Sequence, residues 1–392
     1  MRKDIAFFGA SPIFEQPLQI VRPTFPPVES FLPSLQAALA SGQVTNNGRW
    51  VVELERQLTA YLGVPTLAFC NGQIALMSML QAADIRGGEV IVPSFTFSAT
   101  PHAVRWCGAE PVFADIVDDG TLVLDPADVE RKITPRTVAI LAVDPYGIAC
   151  DYGALNETGR RHGLKVLVDS APSFGTRLDG RPIGGNCDAH IFSFHATKAF
   201  ATMEGGAFCS NDPAMFERVK AIRNFGQAAN GDCAEAGLNG KMMEICALIG
   251  LEQLKRFEPA AAVRRAAVAR MRTGLQQLPG LTVAQAPPHQ DPIWLYLPVI
   301  VDKQVFGLDR DQVAAALEKE NLFVRKYYSP PCHHMAAYRG AQDGSLPVTE
   351  AAAYNVVALP VYNDMADSEC DGIVQAFAEL HRAAARVAVA AK

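Results

Sequence analysis

Between about residues 50 and 225, short unbroken apolar runs alternate with stretches of helical period, and that alternation predicts a mostly parallel sheet covered by helices. The runs at Thr66–Phe69, 89–92, 111–116, 138–143, 164–169, Ala189–Ser193 and Gly206–Cys209 hold so few polar residues that they fit strands buried on both faces. Helical stretches at 51–62, at 74–83 behind Asn71-Gly72, and at 151–162 supply the crossovers. After Glu244 an Ala/Leu/Arg-rich helical pattern runs to about Gln277, with a break expected at Glu258-Pro259. Beyond it an apolar stretch at 293–301, a helix at 309–321 and a terminal helix from Ser368 predict a smaller α/β unit. The Pro-rich segment from Pro17 to Pro33 predicts an extended arm lying on other structure. The chain thus divides into an arm (1–35), a large domain (36–258) and a small C-terminal domain (259–392), and the alanine-rich tail from Ala383 to Lys392 is expected to fray.

Composition narrows the class of protein but not its activity. With 392 residues, 49% apolar and 19% charged, the chain has the makeup of an ordered globular protein long enough for more than one core. A net charge of -6 with dispersed Lys and Arg argues against nucleic acid, whose backbone demands clustered cations. No stretch approaches the roughly 20 uninterrupted apolar residues of a membrane span. The first ten residues carry only a short apolar run and no convincing signal peptide, so cytoplasm is the expected location. Nine cysteines, an odd number without CxxC spacing, fit reduced thiols better than a disulfide framework. The tight cluster Cys332-His333-His334 is not expected to bind a metal, because adjacent loop residues seldom converge on one ion.

One lysine departs from the usual solvated pattern. Lys198 ends Ile191-Phe-Ser-Phe-His-Ala-Thr-Lys198 and precedes Ala-Phe-Ala-Thr-Met-Glu-Gly-Gly206, a setting of apolar and small residues. An ammonium is costly there unless it is neutralised or bonded, and condensation with an aldehyde does both. The aldehyde this pattern points to is pyridoxal 5'-phosphate (PLP); a solvated surface lysine is the plainer alternative. Asp169 ends a hydrophobic run, and in open α/β sheets ligands sit outside the carboxyl ends of strands. A carboxylate there can keep a proton on a pyridine nitrogen, as an electron-sink ring requires, although a turn aspartate would read the same way. Asn71-Gly72-Gln73, between a strand and a helix, offers backbone N–H groups to a phosphate, and Ser193 can add a hydroxyl. Phe95 or Phe97, after the run at 89–92, could stack on a ring or belong to the core.

The series Asn71-Gly-Gln73, Pro93-Ser-Phe-Thr-Phe97, Val168-Asp-Ser-Ala171, Ser193-Phe-His-Ala-Thr-Lys198, Glu204-Gly-Gly206, Arg223-Asn-Phe-Gly226 and Gly237-Leu-Asn-Gly-Lys-Met-Met-Glu244 resembles the nucleotide-sugar aminotransferases of the DegT/DnrJ/EryC1/StrS family. The resemblance extends from the turn at 45–48 to the terminal helix. It implies an aspartate-aminotransferase-like (fold type I) α/β fold with a large mostly parallel sheet domain and a smaller C-terminal domain. It implies that Lys198 carries PLP as a Schiff base and that Asp169 pairs with the pyridine nitrogen. Gly72, Gln73 and Ser193 would then hold the phosphate, Phe97 would stack on the ring, and Asn239 would reach the phosphate of a neighbouring subunit in a homodimer with shared active sites. The segment from Val324 to Arg339 resembles members that aminate C4 of a dTDP-4-keto-6-deoxyhexose, with L-glutamate as donor. Arg325, Tyr327, Tyr328 and His333 would face that nucleotide-linked keto-sugar. A 3-keto sugar nucleotide, a cyclitol ketone, or a cofactor-binding regulator on a degenerate scaffold are the alternatives; the family's dehydratases replace the lysine by histidine and are disfavoured by Lys198. Two positions depart from the family pattern: Pro172 stands where Gln or His is usual, and Gln73 where Thr is usual.

Overall fold

A computed structural model of the chain describes residues 4–227, 230–340 and 344–390. Among the described residues the strands, in chain order, are β1 (Thr66–Phe69), β2 (Glu89–Pro93), β3 (Glu110–Ala114), β4 (Thr137–Val143), β5 (Lys165–Asp169), β6 (Arg177–Leu178), β7 (Arg181–Pro182), β8 (Ala189–Ser193), β9 (Gly206–Cys209), β10 (Leu281–Val283), β11 (Gln290–Asp291), β12 (Tyr296–Val301) and β13 (Val356–Pro360). Seven of them form one sheet in the order β1-β9-β8-β5-β4-β2-β3. Strands β3, β2, β4, β5 and β8 run parallel, and β9 runs antiparallel to both of its neighbours. The expected mostly parallel α/β sheet is therefore present.

Its strands are buried on both faces, as their unbroken apolar runs require. Successive residues enter opposite cores: Ile140, Ala142, Val166 and Val168 pack on one side, Ala139, Leu141, Leu167 and Ile191 on the other. The helix Arg49–Leu62 buries Val51, Leu54, Leu58 and Leu62, a stripe at intervals of three and four residues. Its N-terminus is fixed from far along the chain, because the buried Glu244 carboxylate accepts the Trp50 N–H at 2.8 Å. Gly48 is required beside it, since a Cβ there would lie 2.7 Å from that carboxylate. Similarly, buried Arg223 donates to the Ala68 carbonyl at 2.6 Å and to Glu55, while Glu55 accepts the Ala68 N–H at 2.9 Å, clamping β1 against two helices. The motifs around residues 45–48, 223–226 and 237–244 thus join distant parts of the chain.

The smaller unit has an antiparallel sheet, β10-β12-β13, backed by the helix Arg310–Lys319, on which the helix Asp367–Ala390 packs. Two expectations fail here. The break expected at Pro259 is absent, and the helix Glu244–Leu275 continues through it, across the expected domain boundary at 258/259. Proline deprives the Lys255 carbonyl of its donor, but both residues lie on the exposed side, where water replaces it. The helix packs on Arg49–Leu62 at one end and Asp367–Ala390 at the other. The alanine-rich tail is helical to Ala390, with Ala383, Ala384 and Val387 buried against the core rather than frayed; residues 391–392 lie outside the described residues. The N-terminal segment lies on other structure, with Leu18 bridging to Leu322 and the N–H groups of Ala6 and Ile13 donating to Glu320, but its end is helical rather than extended, at Val28–Ser30 and Leu32–Ser41. No helix among the described residues is long and apolar enough to cross a membrane.

Candidate active site

Adjacent strand ends bring Asp169 and Ser193 to the same edge of the sheet. Asp169 is the last residue of β5 and Ser193 the last of neighbouring β8, with Asp169 in register with Ile191. The chain turns directly after β8, so that Lys198 returns over the strand ends, its N–H bonded to the His195 carbonyl at 2.9 Å. Side-chain amides from distant helices and loops pin the next few residues. Asn363 donates to the Ala199 carbonyl at 2.9 Å, and Gln253 to that of Ala201 at 3.2 Å. The lysine is thereby presented on a braced loop.

The electrostatics of the pair follow from burial. Removal from water pushes the Lys198 ammonium down to about 8, and the Asp169 carboxylate opposes that fall. Burial raises Asp169 in turn, countered by hydrogen bonds from the Thr100 hydroxyl (2.7 Å to Oδ2) and the Ala171 N–H (3.1 Å to Oδ1), and by Lys198. Each charge is therefore expensive alone and supported by the other. Thr100 was not marked by the sequence: nothing in its spacing connects a residue of the helix Ala99–Trp106 to the end of β5.

A second group lies at the start of the helix Gly72–Ala82. Asn71 caps it, accepting the Ile74 N–H at 2.8 Å, while the first-turn N–H groups of Gly72 and Gln73 have no acceptor within the helix. Gly72 packs directly on Ser193: a Cβ there would sit 3.0 Å from the Ser193 Cβ and 3.2 Å from its Cα. Gly206 faces the same turn, where a Cβ would meet the Gly72 nitrogen at 2.7 Å. The glycines let a helix N-terminus and a hydroxyl meet, a donor set that suits a phosphate. The Gln73 side chain is turned away from this spot, donating to the Ala99 carbonyl at 3.2 Å, so its backbone N–H is what remains on offer.

The two phenylalanines separate clearly. Phe95 is 1% exposed and packs edge-on to Tyr328, whereas Phe97 is 59% exposed despite lying beside the sheet edge. A large ring left bare at that place is what a stacked planar ligand would cover. Tyr327 and Tyr328 stack on each other; desolvation raises the phenol of the half-buried Tyr328, and the nearby Asp169 carboxylate adds to that rise. Tyr146, in the left-handed region with φ 57°, is locked below them by donating to the Tyr327 carbonyl. Arg325 is exposed, pairing its backbone with Ala358. His333 is not brought into this group. Its side chain is only 7% exposed, with Nδ1 2.6 Å from the Ser94 hydroxyl and Nε2 3.3 Å from Glu350. Asn239 is exposed beside the end of β1, where its neighbour Gly240 accepts the Cys70 N–H at 2.8 Å.

The arrangement fits PLP on three observations: a lysine whose Nζ makes no hydrogen bond or ion pair among the described residues, a carboxylate held by two donors behind it, and a bare aromatic ring alongside. The glycine-built donor set supplies the anion end.

Comparison with known proteins agrees with this chemistry. A model of the DegT/DnrJ/EryC1/StrS aminotransferase family matches residues 28–378. The chain is 35% identical over 358 residues to a dTDP-4-amino-4,6-dideoxy-D-glucose transaminase of Escherichia coli, covering 90% of this chain and 95% of that one. It is 34% identical over 332 residues to a dTDP-3-amino-3,4,6-trideoxy-alpha-D-glucose transaminase of Streptomyces venezuelae, covering 82% and 86%. The crystal structure of DesI in the presence of its TDP-sugar product superposes with a TM-score of 0.91 at 39% identity, covering 98% of this chain and 97% of that one.

Proposed function

The chain belongs to the DegT/DnrJ/EryC1/StrS aminotransferase family, whose members are PLP-dependent, and on that premise we propose that it moves an amino group from L-glutamate to the C4 ketone of a dTDP-4-keto-6-deoxyhexose. The observation that carries the chemistry is the mutual support of Lys198 and Asp169 at neighbouring strand ends. The choice of C4 rests on likeness to the E. coli transaminase and to DesI.

PLP, when bound, supplies an electron sink for the carbon that bears the amino group. The protein's own residues do the rest. Lys198 would hold the cofactor through Nζ, and that nitrogen, once free, is placed to take a proton from the donor's α-carbon as a general base. With the keto-sugar the same nitrogen returns a proton as a general acid. Asp169 would keep the pyridine nitrogen protonated, and Thr100 and the Ala171 N–H keep Asp169 in place. Gly72, Gln73 and Ser193 would bind the phosphate through two backbone N–H groups and a hydroxyl, and Phe97 would cover one ring face. Tyr327, Tyr328 and Arg325 supply phenolic and cationic groups suited to a pyrophosphate-linked sugar.

The test is the reverse reaction with 2-oxoglutarate. Glutamate should form from dTDP-4-amino-4,6-dideoxyglucose; inertness of that sugar, with turnover of a 3-amino sugar nucleotide or an aminocyclitol, would reject the C4 assignment. The reading includes a homodimer in which Asn239 completes the partner's phosphate site. Hybrids of Lys198→Ala and Asn239→Ala protomers should then regain activity, because one site of each hybrid carries neither lesion. Hybrids that form and stay inactive would count against sharing.

A further inference from the structure

A cluster away from the lysine offers a different chemistry. The turn Cys332–His334 does not gather its three residues: the buried Cys332 thiol turns to the Thr96 carbonyl at 3.3 Å. The two histidines instead meet Glu350 of the helix Pro347–Asn355. Their Nε2 atoms lie 3.3 Å (His333) and 3.8 Å (His334) from Glu350 Oε1, and one donor atom from each residue falls within 4.8 Å of the other two. Glu350 Oε1 also accepts the Leu346 N–H at 3.0 Å.

The far side of each ring is braced as metal-ligating imidazoles are. His333 Nδ1 faces the Ser94 hydroxyl at 2.6 Å, and His334 Nδ1 faces the Tyr354 hydroxyl at 2.9 Å. Each hydroxyl can accept from Nδ1–H, the tautomer that leaves a lone pair on Nε2 for a metal. Tyr354 lies one helical turn beyond Glu350, so a single helix face supplies both a carboxylate and a brace. Zinc bonds to imidazole of about 2.0–2.1 Å place neighbouring tetrahedral ligands about 3.3 Å apart, so His333 and Glu350 already have that spacing, and His334 needs to close by about 0.5 Å on Glu350 and by up to about 1.5 Å on His333. His334 and Glu350 are 39% and 29% exposed, which leaves a path for the ion and room for a water as fourth ligand.

We propose that His333, His334 and Glu350 form a site for a zinc-class divalent cation. Two imidazoles and one carboxylate suit zinc better than the all-oxygen cations magnesium and calcium. The ion would clip the segment after Tyr328 to the helix Pro347–Asn355 and, through Ser94, to the end of β2 that carries Phe95 and Phe97. It would be a structural fastener for one wall of the cleft, independent of which sugar the cleft accepts.

The experiment uses tag-free, PLP-loaded protein, stripped with a chelator and equilibrated with ZnCl₂, then with CoCl₂. Bound zinc should approach one ion per chain, raise the unfolding temperature, and bind roughly 100-fold or more weakly in His334→Ala and Glu350→Gln. The cobalt form should show d–d absorption without a thiolate charge-transfer band. Zinc bound equally well by both variants, a thiolate band that places the ion on cysteine, or no zinc retained by the wild type would each overturn the site. In the last case His333 Nε2–H simply donates to Glu350 as an internal tie.

Discussion

The strand-end cluster and the segment from Arg325 to Tyr338, which meet where Tyr328 lies near Asp169, are built in different ways. Asp169 and Ser193 end strands of the large sheet and Gly72 opens a helix, while Lys198 follows β8 on a loop braced by Asn363 and Gln253. The later segment is held by partners far away in the chain. Ser94 and Glu350 hold His333, and Tyr146 holds the Tyr327 backbone. Groups set at strand ends and at a helix start have a fixed frame suited to bond chemistry, whereas a segment outside the large sheet gives a wall that can be altered without disturbing that chemistry. Lesions in the first region should therefore strike kcat, and lesions in the second should strike KM.

The largest effect is expected from the pair behind the ring. Asp169→Asn should still bind cofactor but lose on the order of 10²–10³ in kcat, as when a preorganised electrostatic partner is removed. Thr100→Val should lose on the order of 10- to 100-fold, since a hydrogen bond to a charged group contributes about 1.5–3 kcal/mol. The Thr100 hydroxyl lowers the Asp169 pKa, so its loss should also move the acid limb of the kcat profile to higher pH. Steady-state kinetics across pH measure both; an unshifted limb would make Thr100 a packing residue only.

In the second region Tyr328→Phe should raise the sugar-nucleotide KM by about three- to tenfold with kcat nearly unchanged, the loss of one neutral hydrogen bond. A kcat collapse in that variant would erase the distinction between the two regions.

A smaller effect concerns cofactor loading. Burial lowers Lys198 to about 8, so the neutral, nucleophilic amine increases tenfold per pH unit below that value and levels off above it. The rate at which cofactor-free protein regains its colour with PLP should follow that curve between pH 6.5 and 9. A flat profile would mean that the lysine is not the titrating group.

The same contrast explains what could be read from the chain alone. Asp169, Ser193 and Lys198 were readable because an apolar run shows where a strand ends, and a strand end in such a sheet shows where a ligand sits. Gly72 was readable because a helix start announces itself. The continuity of Glu244–Leu275 through Pro259 was not, because whether proline breaks a helix depends on whether the orphaned carbonyl faces water. The role of Thr100 and the internal bonding of His333 were equally hidden, since their partners are separated from them in sequence and no local pattern encodes the pairing. The convergence of two adjacent histidines on a glutamate was masked by the expectation that neighbouring loop residues diverge.

The central claim is that Lys198, and no other lysine, holds the cofactor against Asp169. Borohydride reduction of the PLP-loaded protein with subsequent peptide mapping tests it directly: a pyridoxyl label should appear on the peptide containing Lys198, and Lys198→Ala should be colourless and unlabelled. A label on any other lysine, or a coloured and active Lys198→Ala protein, would contradict it.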